Sequence, residues 1–114
     1  MAEFVRVATT DEVPPGAAKV VEVAGERIAL FNLGGTVYAI HDTCTHEEAS
    51  LAEGDLYGEV VACPKHGSRF HVPSGRVLSL PAVKSVAVYP VKVEGADIYV
   101  SPEGQVAKAK PHRR

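Results

Sequence analysis

The sequence contains no long apolar run, and none of its segments approaches the roughly 20 apolar residues that a membrane-spanning helix requires. Its first residues lack both the basic start and the apolar stretch of a secretory signal. The net charge of −2 gives no basic surplus for binding nucleic acid. We therefore expect a cytoplasmic protein whose partners are neither membranes nor nucleic acids.

Only two cysteines occur in the 114 residues, and each begins a short segment that also contains a histidine. The segments are Cys44-x-His46 and, after sixteen intervening residues, Cys63-x-x-His66. Two thiolates and two imidazoles are the donors that an asymmetric two-iron cluster requires. They are also a complete set for a structural zinc site, although zinc fingers usually pair the cysteines at one end. If both thiols bind metal, none is left for a disulfide, which fits a reducing cytoplasm.

The hydrophobic pattern predicts an almost entirely β protein. No segment has a sustained 3.6-residue apolar stripe, so we expect no long helix. Short runs of β-branched residues between Gly and Pro turns predict antiparallel sheets that pack as a sandwich or partial barrel. Gly34-Gly35 predicts a tight hairpin turn. The predicted strands are residues 4–7, 19–23, 27–33, 36–40, 59–62, 77–78, 86–93 and 98–100.

Cys-x-His, a spacer of this length and Cys-x-x-His together resemble the signature of Rieske-type [2Fe-2S] proteins. The resemblance continues from CTHEEASLAEG through CPKHGSRF and SGR to LPA. The ending YPVKVEGADIYV resembles the last strands of small Rieske ferredoxins that serve aromatic-ring dioxygenases. The resemblance implies an all-β, Rieske-like antiparallel β-sandwich over residues 1–105. A cluster-binding subdomain at about residues 43–81 would be inserted into it, and residues 106–114 would form a basic, disordered tail.

The resemblance also implies one [2Fe-2S] cluster per chain and the residues that surround it. The expected ligands are Cys44, His46, Cys63 and His66. The expected neighbours are Gly67, which permits an unusual backbone conformation or a close approach, Ser68, which hydrogen-bonds to sulfur, and Pro81, in a loop that covers the cluster. His41 and His71 fall outside the motif's spacing, and we do not expect them to be ligands.

The reduction potential is expected at the lower end of the Rieske range. High-potential members of the family have an extra cysteine in each ligand loop, and this chain has none. They also have a tyrosine where Phe70 stands, so one hydrogen bond to sulfur is missing here. Fewer such bonds predict a potential of roughly −150 mV.

The expected function is one-electron transfer from a flavin-dependent ferredoxin reductase to a terminal non-haem iron oxygenase. No Gly-rich nucleotide loop follows a strand, and the chain is too short for a mononuclear-iron catalytic domain, so we expect a carrier rather than an enzyme. Charged residues flank both loops: an acidic rim follows His46, and basic residues flank the second loop, namely Glu47, Glu48, Glu53, Asp55 and Glu59 in the first case and Lys65 and Arg69 in the second. Such a charged face is usually only solvated, and the alternative is that it steers electron-transfer partners. The alternatives are a small Rieske subunit of a nitrite reductase, a ferredoxin for iron–sulfur assembly or redox sensing, and a structural zinc module.

Overall fold

The chain folds mainly into short antiparallel strands, with brief 3₁₀ helices between some of them. The computed structural model describes residues 4–44, 49–65, 67–79 and 84–106. No helix within these ranges has the length and apolar character needed to cross a bilayer. The strands are β1 Val5–Thr9, β2 Ala18–Val23, β3 Glu26–Leu33, β4 Thr36–His41, β5 Asp55–Tyr57, β6 Val60–Ala62, β7 Arg69–His71, β8 Arg76–Val77, β9 Ala87–Tyr89, β10 Val91–Glu94, β11 Asp97–Val100 and β12 Gln105–Val106, and the 3₁₀ helices are Thr10–Glu12 and Leu51–Glu53.

These strands form three antiparallel sheets, which confirms the predicted all-β class. The strand orders are β1-β11-β10, β12-β9-β4-β3-β2 and β5-β6-β7-β8. Strands β4 and β9 pair directly in the five-stranded sheet, although the whole four-stranded sheet lies between them in the chain. The four-stranded sheet is therefore an insertion into the framework. The bounds 43–81 for a cluster-binding subdomain stay a prediction, and residues 107–114 of the predicted tail lie outside the described residues.

The β3–β4 hairpin is the centre of the fold and matches its prediction. Its strands pair from Ile28 opposite His41 to Leu33 opposite Thr36. Gly34 and Gly35 form the turn with φ angles of 64° and 103°, which glycine adopts readily because it has no Cβ. The strand prediction was therefore correct where an apolar run and a two-glycine turn coincide.

Two hydrophobic clusters lie on opposite sides of this hairpin. Alternate residues of a strand point to opposite faces of a sheet. Ala29 and Phe31 accordingly belong to one cluster, which also contains both cysteines, while Ile28 and Leu30 belong to the other. Burying a large apolar side chain contributes about 1.5–3 kcal/mol, so a strand buried on both faces stabilises the framework strongly. The cysteines therefore pack in the cluster that covers one face of this hairpin.

The predicted strand at residues 86–93 is wrong as a single element. It is divided at Pro90 into β9, which pairs with β4, and β10, which pairs with β11 in a different sheet. Proline has no amide hydrogen and cannot continue a ladder of strand hydrogen bonds. The sequence pattern does not predict β5, β7 and β12, which have only two or three residues each.

Candidate metal centre

The first cysteine begins a loop that leaves the end of β4. The backbone N–H of Cys44 donates a hydrogen bond of 2.9 Å to the carbonyl oxygen of Ala49. Immediately outside this bond, Thr43 and Ser50 face each other in an isolated antiparallel bridge. These two contacts place Cys44 beside Ala49 at the end of β4.

The second cysteine begins a loop closed in the same way. The N–H of Cys63 donates a hydrogen bond of 2.7 Å to the carbonyl oxygen of Ser68, which is five residues later, as Ala49 is from Cys44. Outside this bond, Ala62 pairs with Arg69 at the end of the β6–β7 ladder. Both cysteines therefore stand at equivalent positions in two similarly closed loops.

Both thiols are sheltered from solvent within one apolar cluster. Cys44 and Cys63 are each 3% exposed, and neither forms a disulfide. They share their hydrophobic cluster with Leu51, Phe70 and Val72, all completely buried. An uncoordinated thiolate would be costly in such surroundings, whereas bonding to ferric iron compensates for its burial. The two cysteine thiols therefore fit the cysteine end of a [2Fe-2S] cluster.

The other half of the predicted site cannot be placed. His46, His66 and Pro81 lie outside the described residues, so the two histidine ligands and the covering loop stay predictions. Among the residues that the structure does describe, no three His, Cys, Asp or Glu side chains come together to complete a metal site without them.

Gly67 and Ser68, the predicted neighbours of the cluster, both lie in the second loop, and their roles beside a cluster stay predictions. Gly67 has a φ of +77°, and open space surrounds the position that a Cβ would occupy. Its N–H donates a hydrogen bond of 2.9 Å to the carbonyl oxygen of Cys63. No described atom lies close to that position, so glycine is favoured there because of the positive φ and not because of a close contact. Ser68 is completely buried, and the partner of its hydroxyl group stays a prediction.

Gly54, for which the sequence pattern predicts no role at the site, lies where the segments that carry the two ligand loops meet. Gly54 follows the 3₁₀ helix at the end of the first loop and packs against the strand that leads to Cys63. A Cβ at Gly54 would lie 2.0 Å from the carbonyl oxygen of Ala62. The absence of a side chain therefore allows the segments carrying the two ligand loops to come into contact. The only signal in the sequence is a glycine beside charged residues, which predicts an ordinary turn.

His41 and His71 make contacts of their own. The Nδ1 of His41 lies 3.4 Å from the hydroxyl oxygen of Tyr89. In His71, Nδ1 lies 2.8 Å from the Ser74 hydroxyl oxygen, and Nε2 lies 3.0 Å from a Glu59 carboxylate oxygen. These contacts show what each ring touches, and the exclusion of both histidines as ligands stays a prediction.

The rim of the site carries charges of both signs. The exposed acidic residues that follow the first loop are Glu53, Asp55 and Glu59, and the exposed basic residues of the second loop are Lys65 and Arg69. Glu47 and Glu48, which were also predicted to belong to the acidic rim, lie outside the described residues.

Comparison with known proteins identifies the type of domain. The family model described as "Rieske [2Fe-2S] domain" matches residues 3–90, which is most of the chain. The ferredoxin subunit of biphenyl dioxygenase from Pseudomonas sp. strain KKS102 is 43% identical over 98 residues, covering 85% of this chain and 90% of that protein.

Solved structures give the same result. The ferredoxin of carbazole 1,9a-dioxygenase from Nocardioides aromaticivorans IC177 superposes with a TM-score of 0.84 at 38% identity, covering 90% of this chain and all of that chain. A chain from a complex of reduced oxygenase and oxidized ferredoxin in carbazole 1,9a-dioxygenase gives a TM-score of 0.84 at 35% identity, covering 91% of this chain and 97% of that chain.

Proposed function

Because the chain belongs to the Rieske [2Fe-2S] domain family, we propose that it delivers single electrons to the terminal oxygenase of a multicomponent dioxygenase. The strongest support is the extent of the alignment with a dioxygenase ferredoxin subunit, which covers 85% of this chain and 90% of that subunit. A ferredoxin subunit transfers electrons and does not transform the organic substrate. The same similarity favours this function over a nitrite reductase subunit, an assembly ferredoxin or a structural zinc module.

The bound [2Fe-2S] cluster would supply the chemistry, which is the uptake and release of one electron. We propose that Cys44 and Cys63 bind one iron and that His46 and His66 bind the other. Two neutral imidazoles in place of two thiolates remove two negative charges, which raises the potential above that of an all-cysteine ferredoxin.

The apolar residues around the two thiols would keep water away from the cysteine end of the site. Leu51, Phe70 and Val72 are completely buried in the same cluster as Cys44 and Cys63. Exclusion of solvent around an iron–sulfur centre influences its potential, and a rigid surrounding keeps the ligands in place during electron transfer. We attribute this role to the packed framework rather than to any single side chain.

We propose that partner proteins contact the surface beside the second loop. Tyr57 and Leu78 are 58% and 50% exposed, and with Arg69 they line a depression of about 440 Å³. Arg69 pairs across the sheet with Ala62, the residue before Cys63, so this surface adjoins the candidate site. Tyrosine and arginine are enriched at protein interfaces, and short-lived redox complexes use small ones.

We further propose that a separate flavin-dependent reductase supplies the electrons and that transfer takes place in the cytoplasm. The absence of a nucleotide-binding loop from the sequence supports a separate reductase. The two cysteines, both free of disulfides, support a reducing compartment.

Reconstitution with the terminal oxygenase encoded nearest to this chain's gene tests the proposal. The purified oxygenase, a ferredoxin reductase and NADH are incubated with the wild-type protein or with a Cys63→Ser variant that cannot bind the cluster. We expect oxygenase turnover with the wild type and at least tenfold less with the variant. Equal turnover with both proteins would contradict the proposed function.

A further inference from the structure

Asp42 is an unusual residue at the start of the first ligand loop. It is completely buried, and among the described residues it is the only buried side chain that carries a formal charge. Its Oδ1 accepts hydrogen bonds from the Ser50 hydroxyl at 2.8 Å and from the Ala52 backbone N–H at 3.0 Å. Its Oδ2 accepts one from the Arg27 Nη2 at 3.2 Å. Burying a carboxylate is costly unless its oxygens are satisfied, and here they are.

The main chain of Asp42 makes a second set of connections. Its N–H donates a hydrogen bond of 2.9 Å to the carbonyl oxygen of Arg27 on β3. Its carbonyl oxygen accepts one of 2.7 Å from the N–H of Leu51. One residue therefore joins the central hairpin, the beginning of the first loop and the 3₁₀ helix after that loop.

The two ligand loops differ in how much backbone pairing supports them. The second loop ends in the β6–β7 ladder, which has three residue pairs. In the described part of the first loop, the Thr43–Ser50 bridge is an isolated pair, with one backbone hydrogen bond on each side, from Cys44 to Ala49 and from Leu51 to Asp42. Asp42 lies directly before that bridge and bonds to Ser50 and to Ala52 beyond it. Its side chain thus adds two hydrogen bonds to this short backbone pairing.

We infer that Asp42 is a positioning residue for the cluster and that its charge, opposed by that of Arg27, sets part of the reduction potential. This rests on the proposed [2Fe-2S] function. Asp42 is two residues from Cys44 and is shielded from water, so its negative charge disfavours the arrival of an electron. Arg27 has the opposite effect, weakened because its side chain is 51% exposed and solvent screens it.

Redox titration of the holoprotein tests the electrostatic part of this inference. Asp42→Asn keeps the shape of the side chain but removes its charge, and we expect the equilibrium constant for reduction to rise at least threefold, or about 30 mV at 59 mV per tenfold change. Arg27→Gln should lower the potential by a smaller amount, and the double variant should lie between the two single variants. The matched control is Asp55→Asn, which removes an exposed carboxylate and should shift the potential less than Asp42→Asn does.

Release of iron to a chelator tests the positioning part. Asp42→Asn and Ser50→Ala each weaken the hydrogen bonds across the first loop, so iron should be lost several-fold faster than from the wild type. Asp55→Asn should leave that rate unchanged. Ser50→Ala keeps the buried charge, so it remains informative if Asp42→Asn does not fold.

Three results would overturn the inference. The first is an equal reduction potential in Asp42→Asn and Asp55→Asn. The second is a shift of the potential in the same direction in Asp42→Asn and Arg27→Gln. The third is an iron-release rate in Ser50→Ala equal to that of the wild type. None of these three results would contradict the proposed function, because no oxygenase takes part in the redox titration or in the iron-release measurement. A wild-type protein without a [2Fe-2S] cluster would instead overturn both.

Discussion

Replacing Gly54 with alanine should disturb the spacing between the two ligand loops. The backbone at Gly54 has φ −83° and ψ 177°, which alanine adopts without strain. On conformational grounds alone the substitution would stabilise the protein by about 0.4–1 kcal/mol. The new methyl group, however, would lie 2.0 Å from the carbonyl oxygen of Ala62. Its other close neighbours, at 3.1 and 3.3 Å, are also main-chain atoms, so no side chain can simply turn away.

The expected cost follows from this geometry. The 3₁₀ helix and β6 must separate by at least about 1 Å, and overpacking of this kind costs about 1–3 kcal/mol. At about 4–8 °C per kcal/mol for a domain near this size, the melting temperature should fall by about 4–24 °C. Because β6 leads directly into Cys63, iron should also be released faster.

Thermal unfolding of the holoprotein, followed by circular dichroism, and release of iron to a chelator measure the two effects. The control is Gly95→Ala in the β10–β11 turn, where φ is +62° and open space surrounds the Cβ position. A residue with a side chain costs roughly 1–2 kcal/mol in that conformation, so the control should lose stability but not release iron faster. A Gly54→Ala protein as stable as the wild type would refute the steric reasoning, and equal iron-release rates in both variants would refute the connection between the loops.

Two other predictions concern single buried aromatic residues. Phe70→Tyr adds a hydroxyl group within the hydrophobic cluster that contains both cysteines. A hydrogen bond from this hydroxyl to sulfur, worth about 1 kcal/mol, should raise the reduction potential by about 40 mV, as measured by redox titration. An unchanged or lower reduction potential would contradict the reasoning. Burial, and secondarily Glu26, raises the pKa of Tyr89 above its ordinary value of 10.0, so the folded state keeps the proton that the unfolded state loses. The stability from this shift is complete below about pH 10 and is lost as the pH rises through the folded-state pKa. In urea titrations between about pH 9 and 11, the free energy of unfolding should therefore fall more steeply with pH in the wild type than in Tyr89→Phe. Equal slopes would show that Tyr89 is not linked to folding, and Tyr57→Phe, at an exposed tyrosine, is the control.

The sequence was most informative where a pattern has one physical solution. The apolar runs on both sides of Gly34-Gly35 permit little other than a hairpin, and the β3–β4 pair is found there. The placement of both cysteines in two short segments likewise predicted two loops, and both thiols are buried in one cluster. Periodicity failed for β5 and β7, because three residues are too few to show a pattern.

Other features depend on contacts between distant parts of the chain. Pro90 divides a run of β-forming residues between two sheets, although the run by itself predicts a single strand. Asp42 resembles an ordinary loop residue until its bond to Arg27, fifteen positions earlier, is seen. The importance of Gly54 is visible only when Ala62 is placed beside it. Such residues act through tertiary contacts, which no local pattern reveals.

Metal and sulfide analysis of the purified protein tests the central claim most directly. Protein produced with ample iron and kept free of oxygen should contain two iron atoms and two acid-labile sulfides per chain, and it should give an EPR signal after reduction. Substituting serine for Cys44 or Cys63 should remove all three. A colourless wild-type protein that contains one zinc ion and no sulfide would contradict the account.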